Sequence, residues 1–337
     1  TRILLMRWRP LLRPADRGCY DDLSLRKEKE AQEVIMPLEE TADVTMTIVV
    51  DNYSNILLGS PAGVDRYGVL EEPLLAEHGF SAHIRLGALG KEILLDAGYS
   101  SQALPHNLRR LGISPGTVDQ VVISHGHPDH TGALEEFLRL VGRPTPVVVH
   151  RDAFLERWGQ LREDGHREGP WQQDRGSWER AGAVIVGLTE PYALAPGCLA
   201  TGPVPRVTDF EQGSSSAVCR RGDELVHDPI MDDQAVVVNV KGKGLVVVSG
   251  CAHAGIVNTV LYARKIAGVD RVWAVLGGFH LGTATEERLR GTIAEFKALD
   301  PKLVMPCHCT GFDATARFAR EMPEQFVLSA VGTTLNF

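Results

Sequence analysis

Residues 121–132 read Val121-Val122-Ile123-Ser124-His125-Gly126-His127-Pro128-Asp129-His130-Thr131-Gly132, an apolar run that passes straight into three histidines and an aspartate. The span from Val118 to Ser124 is a buried strand by its β-branched content, and Thr131 to Val141 reads as a helix. Side chains at a strand tip are held by a rigid sheet yet face an open cleft, as a catalytic metal requires. In His125-Gly126-His127 the imidazoles stand two residues apart, so a turning backbone aims both at one ion. Asp129 and His130 follow closely enough to reach a second ion, and Asp129 is alternatively placed to act on bound water. Histidine nitrogen binds zinc-like ions at roughly 2.1 Å, and a catalytic site keeps one position open. Gly126 permits close backbone approach and Pro128 stiffens the loop. Packing alone is a poor account of this cluster, because unpaired buried charge is costly.

Three more apolar segments end in the same way: Val246-Val247-Val248-Ser249-Gly250-Cys251-Ala252-His253, Ala274-Val275-Leu276-Gly277-Gly278-Phe279-His280 and Leu303-Val304-Met305-Pro306-Cys307-His308. They add His253, His308 and His280 to the candidates, and Cys251 as a thiol that is either a ligand or buried. His78, His83, His106, His150 and His166 stand outside any such pattern and read singly as surface or core residues.

Around these segments strands and helices interleave. Val44–Val50 reads as a strand closed by the turn Asp51-Asn52, 82–86 and 92–96 as a strand pair, and 101–111 as a helix. Residues 146–149 read as a strand. After a gap, 235–240 and 244–249 form a hairpin, followed by a helix at 257–267, a strand at 272–276, a helix at 286–298 and a strand at 303–306. No segment resembles a linker, so the pattern predicts a single α/β (α+β) domain over 44–337. No Gly-x-Gly-x-x-Gly opens a helix after the first strand, which excludes a dinucleotide site of that kind. Residues 151–216 lose apolar periodicity and collect Gly, Pro, Arg, Trp158, Trp171 and Trp178, the mark of a lid or insertion with little regular structure. Residues 1–43 are a charge-rich extension with one short helix near 22–34.

With 337 residues, 44% hydrophobic and 23% charged, the chain has the composition of an ordinary globular protein. A net charge of −8 argues against a nucleic-acid partner. The cluster Arg2, Arg7, Arg9, Arg13 and Arg17 reads as a solvated leader. No apolar run approaches the roughly 20 residues of a membrane helix. Six cysteines lack any disulfide-framework spacing and read as reduced thiols, so the expected location is the cytoplasm.

Ser124-His125-Gly126-His127-Pro128-Asp129-His130-Thr131-Gly132 resembles the His-x-His-x-Asp-His signature of the metallo-β-lactamase superfamily. Further stretches resemble its dihydropterin synthase-like branch, related to a methanopterin-pathway enzyme of archaea. They are Val50-Asp51-Asn52, 75–81, Leu95-Asp96-Ala97-Gly98, 201–206, Asp232-Asp233-Gln234-Ala235, 249–258, 277–281 and Cys307-His308-Cys309-Thr310-Gly311. The likeness spans about residues 45 to 335. It implies an αββα metallo-β-lactamase sandwich holding two divalent ions, zinc in most relatives and manganese or iron in some. Carried over, His125 and His127 bind the first metal, Asp129 and His130 the second, and His253 and His308 complete the sites. Asp96 supports the motif histidines from behind. The sequence departs from the commoner pattern in its second half: no Gly-His-Thr-x-Gly-His segment occurs, and Cys251 stands where a bridging carboxylate is expected. His280 is an additional ligand candidate.

These readings lead to an enzyme acting on a small molecule. The first expectation is a metal-dependent hydrolase, its activated water attacking an ester, lactone, phosphodiester or amide, with Asp129 and His280 handling protons and Arg206 pairing with a substrate anion. A tryptophan of the lid would stack on a flat group. The alternative is a pterin–arylamine condensing transferase of the dihydropterin synthase-like type, and a second alternative is a non-catalytic metal- or ligand-binding protein. The substrate and the oligomeric state, homodimer included, stay open.

Overall fold

Alternation along two fully buried strands explains the architecture. In the first, Val122 faces one way and Val121 and Ile123 the other; in the second, Val246 and Val248 face one way and Val247 the other. A strand apolar on both faces must be covered on both, which calls for a second sheet on one side and helices on the other. The computed structural model describes residues 35–68, 71–159, 166–213 and 216–337, so the helix expected near 22–34 lies outside the described residues.

One sheet has eight strands in the spatial order 64–65, 334–336, 44–50, 81–86, 91–95, 120–122, 145–150 and 183–188. The other has six, in the order 303–307, 272–278, 244–249, 235–240, 198–200 and 192–195. Their inner faces meet in a core built from Met46, Ile84, Leu95, Val122 and Val148 on one side and Val236, Val246, Val248, Leu276 and Met305 on the other. Helices Ala103–Arg110, Leu134–Val141 and Arg175–Ala181 cover the outer face of the first sheet. Ile256–Ala267, Glu286–Leu299 and Phe312–Glu321 cover the second. The result is the four-layer αββα sandwich that the resemblance implies.

Parallel pairing positions the site. Strands 91–95, 120–122, 145–150 and 183–188 run parallel, as do 244–249, 272–278 and 303–307. Their carboxyl ends deliver Asp96, His125, Cys251, His280 and His308 to loops at the sandwich edge. Four of the residues at these ends take the left-handed backbone region without being glycine: Asp96 (φ 59°), Ala252 (φ 54°), His280 (φ 47°) and His308 (φ 50°). Such conformations are costly for residues with a Cβ and persist only where surrounding contacts overdetermine them.

Residues 151–216 are more regular than their sequence suggests. They carry helix Arg175–Ala181, strand Ala183–Leu188 of the first sheet and strands Tyr192–Ala195 and Cys198–Ala200 of the second. These short strands lie at or near sheet edges, where half-exposure blurs the alternation that marks a strand. Arg157–Trp158 joins Val218–Arg221 and Glu224–His227 in a small third sheet. No helix among the described residues is long and apolar enough to cross a membrane.

Leu276 is wholly buried where the two sheets meet. Leu276→Ala should therefore lower the free energy of unfolding by about 2–5 kcal/mol in urea titrations. A loss below about 1 kcal/mol would show that the sheets do not pack there as described.

Candidate metal centre

Asp96 organises the motif loop. Its Oδ1 accepts from the backbone N–H of Ser124 at 2.7 Å, and its Oδ2 from the Ser124 hydroxyl at 2.7 Å. His130 Nδ1 stands 2.6 Å from the same Oδ2 and donates to it, which leaves His130 Nε2 facing the cavity. The Ser124 hydroxyl has given its proton to Asp96, so toward His125 Nδ1, 2.9 Å away, it accepts. His125 thereby also keeps its Nε2 lone pair for the interior. One carboxylate thus sets the tautomers of two imidazoles, the kind of support that the family resemblance implies for Asp96.

The loop is braced from the other side. Asp232 Oδ2 accepts the Gly126 backbone N–H at 2.7 Å and is gripped by the buried Arg157 guanidinium, which also pairs with Asp228 at 2.8 Å. A Cβ on Gly126 would lie 2.2 Å from the Ala153 carbonyl oxygen, so only glycine lets the loop pass this wall.

Two groups of donors converge. His125, His127 and His253 bring one nitrogen each within 4.8 Å of one another, and an oxygen of Asp129, a nitrogen each of His130 and His308 and the sulfur of Cys251 gather within the same distance. Cys251 further belongs with His253 and His280, linking the groups. The residues expected as ligands are thus brought together, Cys251 and His280 among them.

The donor chemistry fits divalent cations. His253 Nε2 and His125 Nε2 face each other at 3.2 Å. Two nitrogens each roughly 2.1 Å from a shared tetrahedral ion lie about 3.4 Å apart. Burial, then neighbouring imidazoles, hold His125 and His253 well below the ordinary histidine value. Burial and then Arg157 lower His127 to about 4. All three are neutral at pH 7, the form that ligates.

In the second group, Asn52 Nδ2 donates to the His308 carbonyl, while its Oδ1 accepts the Gly79 N–H. His308 Nδ1, 3.0 Å from that Oδ1, must therefore donate to it. The remaining Nε2 faces the Asp129 carboxylate at 3.2 Å. Burial opposes charge on both Asp129 and His130, but their attraction prevails: Asp129 is held far below the usual carboxylate range and His130 is raised to about 9. A bound ion would take the place of the proton on His130 Nε2.

Some residues lie elsewhere than expected, and others were missed. Arg206 lies in the loop wall, its Nη2 donating to the Pro229 carbonyl and its Nη1 3.8 Å from the Met231 sulfur. Trp178 is core, packed on Phe154, whereas Trp171 sets its ring edge-on to His127 at 5.6 Å. His78, read singly as a surface residue, is exposed but places Nε2 3.4 Å from Asp129 at the cluster's rim. Its only signal was membership in the 75–81 stretch. Asn52 and Asp232 also lay in motif stretches, but their partners come from 256 and 106 residues away along the chain, so local reading could not supply a role.

The family described as Metallo-beta-lactamase superfamily matches residues 84–264. A Methanocaldococcus jannaschii protein named 7,8-dihydropterin-6-methyl-4-(beta-D-ribofuranosyl)-aminobenzene-5'-phosphate synthase is 31% identical over 279 residues, covering 80% of this chain and 94% of that protein. An uncharacterized protein of the same organism is 33% identical over 261 residues, covering 77% and 94%. The crystal structure of Tm1679, described as a metal-dependent hydrolase of the beta-lactamase superfamily, superimposes with a TM-score of 0.70 at 25% identity, covering 87% of this chain and 99% of that one. The expectation of a hydrolase is corrected by the similarity to the synthase, which supports the condensing alternative. The physical reason is that a histidine-lined cation site serves any reaction that builds negative charge on oxygen, so the motif does not select water as the attacking group.

Asp96→Asn keeps a side chain that tolerates the left-handed backbone but removes the charge that orients His130. Metal affinity measured by chelator competition should fall about 10- to 100-fold. An unchanged affinity would remove Asp96 from the centre's support.

Proposed function

Because the chain belongs to the metallo-beta-lactamase superfamily, in its dihydropterin synthase-like branch, we propose that it is a metal-dependent synthase condensing a 7,8-dihydropterin with an aminobenzene that carries a ribofuranosyl phosphate. The observation that carries this reading is the 31% identity to the synthase, sustained over 80% of this chain and 94% of that protein. The substrate is a small molecule in either half of the reaction.

We assign His125, His127 and His253 to one divalent ion and Asp129, His130 and His308 to a second, with Cys251 between them; zinc suits this mixed nitrogen, oxygen and sulfur set. When bound, such cations would stabilise the negative charge on an oxygen leaving group. Asp129 is assigned as a ligand, since its Oδ2 already faces nitrogens of His78, His130 and His308 at 3.4, 3.6 and 3.2 Å.

In the condensation a C–N bond forms between the pterin's methyl carbon and the aromatic amine. The bond from that carbon to its oxygen leaving group breaks, and the nitrogen must lose a proton. We assign the removal of that proton to His280, which lines a cavity beside the cluster. Its ring lies 4.1 Å from that of His253, so proton transfer would occur at the edge of the ligand cluster. Among the described residues, a cavity of about 580 Å³ is lined by His280 and another of about 390 Å³ by His308, Asn52 and Tyr53. Separate approaches suit a reaction with two organic substrates.

Metal-loaded protein supplied with the phosphate or diphosphate ester of 6-hydroxymethyl-7,8-dihydropterin and with 4-(β-D-ribofuranosyl)aminobenzene 5'-phosphate should form the coupled product, detected by mass spectrometry. Chelation should abolish it, and His127→Ala should lose both turnover and bound metal while remaining folded. Absence of coupling by the fully loaded protein would refute the proposal.

A further inference from the structure

Residues 232–234 stand just before strand Ala235–Val240 and touch both loops that carry the first group of ligands. Asp232 Oδ2 accepts the Gly126 N–H at 2.7 Å. Gln234 Nε2 donates to the Ile123 carbonyl at 2.8 Å, and the Gln234 N–H to the Ser124 carbonyl at 3.0 Å. Asp233, between them, turns to the other loop, where its Oδ2 accepts the Ala254 N–H at 2.9 Å. Successive side chains of an extended segment point to opposite sides, so three consecutive residues can hold two loops at once. All three are buried, and a bond lost here would leave a polar atom without a partner.

The second loop depends on such an anchor more than the first. His125, His130 and His308 each have a side chain behind Nδ1, from Ser124, Asp96 and Asn52. His253 Nδ1 finds no hydrogen-bond partner among the described residues. The direction of its ring therefore follows from its backbone and from packing against the rings of His125, His127 and His280. That backbone turns tightly: Ala252 takes the left-handed region, and the Gly255 N–H returns to the Ala252 carbonyl at 2.9 Å. Asn258 Nδ2 donates to the Ala254 carbonyl at 2.7 Å, which ties the turn to the helix Ile256–Ala267 that follows it. The bond to Asp233 ties the turn instead to the segment that holds the motif loop. It thereby relates His253 to His125, whose Nε2 atoms stand 3.2 Å apart.

We propose that Asp233 is a positioning residue of the metal centre: by receiving the Ala254 N–H it fixes the turn that aims His253 at the ion shared with His125 and His127. The inference rests on the assignment of those three histidines to one ion, and not on the condensing reaction. Asp233 touches neither ion nor substrate and acts through His253 alone.

The test is a double-mutant cycle on the zinc affinity of the full chain, measured with chelators of graded strength, with the visible absorption of bound Co2+ reporting the geometry of the first site. Asp233→Ala should weaken the first ion about 10- to 100-fold and change its cobalt spectrum. The second ion, on Asp129, His130 and His308, should change less than about threefold. Asp233→Asn keeps an acceptor for the Ala254 N–H and should stay within about threefold of the wild type for both ions. In a His253→Ala background, which already lacks the ring, Asp233→Ala should add less than about twofold. A loss of the same size in both backgrounds would show that Asp233 does not act through His253 and would overturn the inference. So would an unchanged affinity in Asp233→Ala. Should Asp233→Ala not fold, Asp233→Ser, whose hydroxyl is too short to reach the Ala254 N–H, carries the same expectations. The cycle is read on metal binding, so its outcome is separate from that of the coupling assay. Wild-type protein that binds both ions and couples nothing removes the synthase reading alone. An equal metal content in the wild type and His127→Ala overturns the ion assignment and this inference with it.

Discussion

The three hydrogen bonds received by the Asp96 carboxylate are the constraint on which the centre depends. They pin the backbone where strand 120–122 ends, fix the Ser124 hydroxyl and orient His130, and through Ser124 they orient His125. All of these groups are fully buried, so each lost bond would leave a polar atom with no water to replace its partner. The left-handed backbone at Asp96 is maintained by the same contacts. Conformational cost at this position is exchanged for a fixed direction of two imidazoles, which gives the ligand set its preorganisation.

A similar logic operates at the opposite side of the cluster. Asp51 accepts the His308 backbone N–H at 3.0 Å and the Ser329 hydroxyl at 2.7 Å, while Asn52 sets the His308 tautomer. The first strand of the first sheet therefore supports a ligand delivered by the last strand of the second. Arg157, Asp228 and Asp232 form a third buried support, behind Gly126. Three independent polar clusters aim side chains from both sheets at one region, and each is satisfied except on the side that faces the cavity.

Reaction type is decided at a different level from fold. The same sandwich and histidine motif accompany a protein named as a synthase and a structure described as a hydrolase. What differs between such reactions is which nucleophile can be held beside the cations, and that depends on the cavity walls rather than on the ligands. Here the walls of one cavity carry Arg288, the exposed carboxylates Asp209 and Glu287, and His280.

Sequence alone established the four apolar strands with histidine-bearing ends and, in the motif loop, ligand candidates that the fold does gather. These are local properties: burial patterning acts over a few residues, and His125 to His130 are neighbours whatever the rest of the chain does. Asp96 entered through the resemblance to the superfamily, whose motif histidines are supported by a carboxylate from behind. The meeting of Cys251 and His280 with His253, the service of Asn52 and Asp232 and the rim position of His78 emerged only in three dimensions. Each depends on groups that meet across long stretches of chain, and on whether a given polar atom already has a partner, a question that residue identity and spacing do not answer.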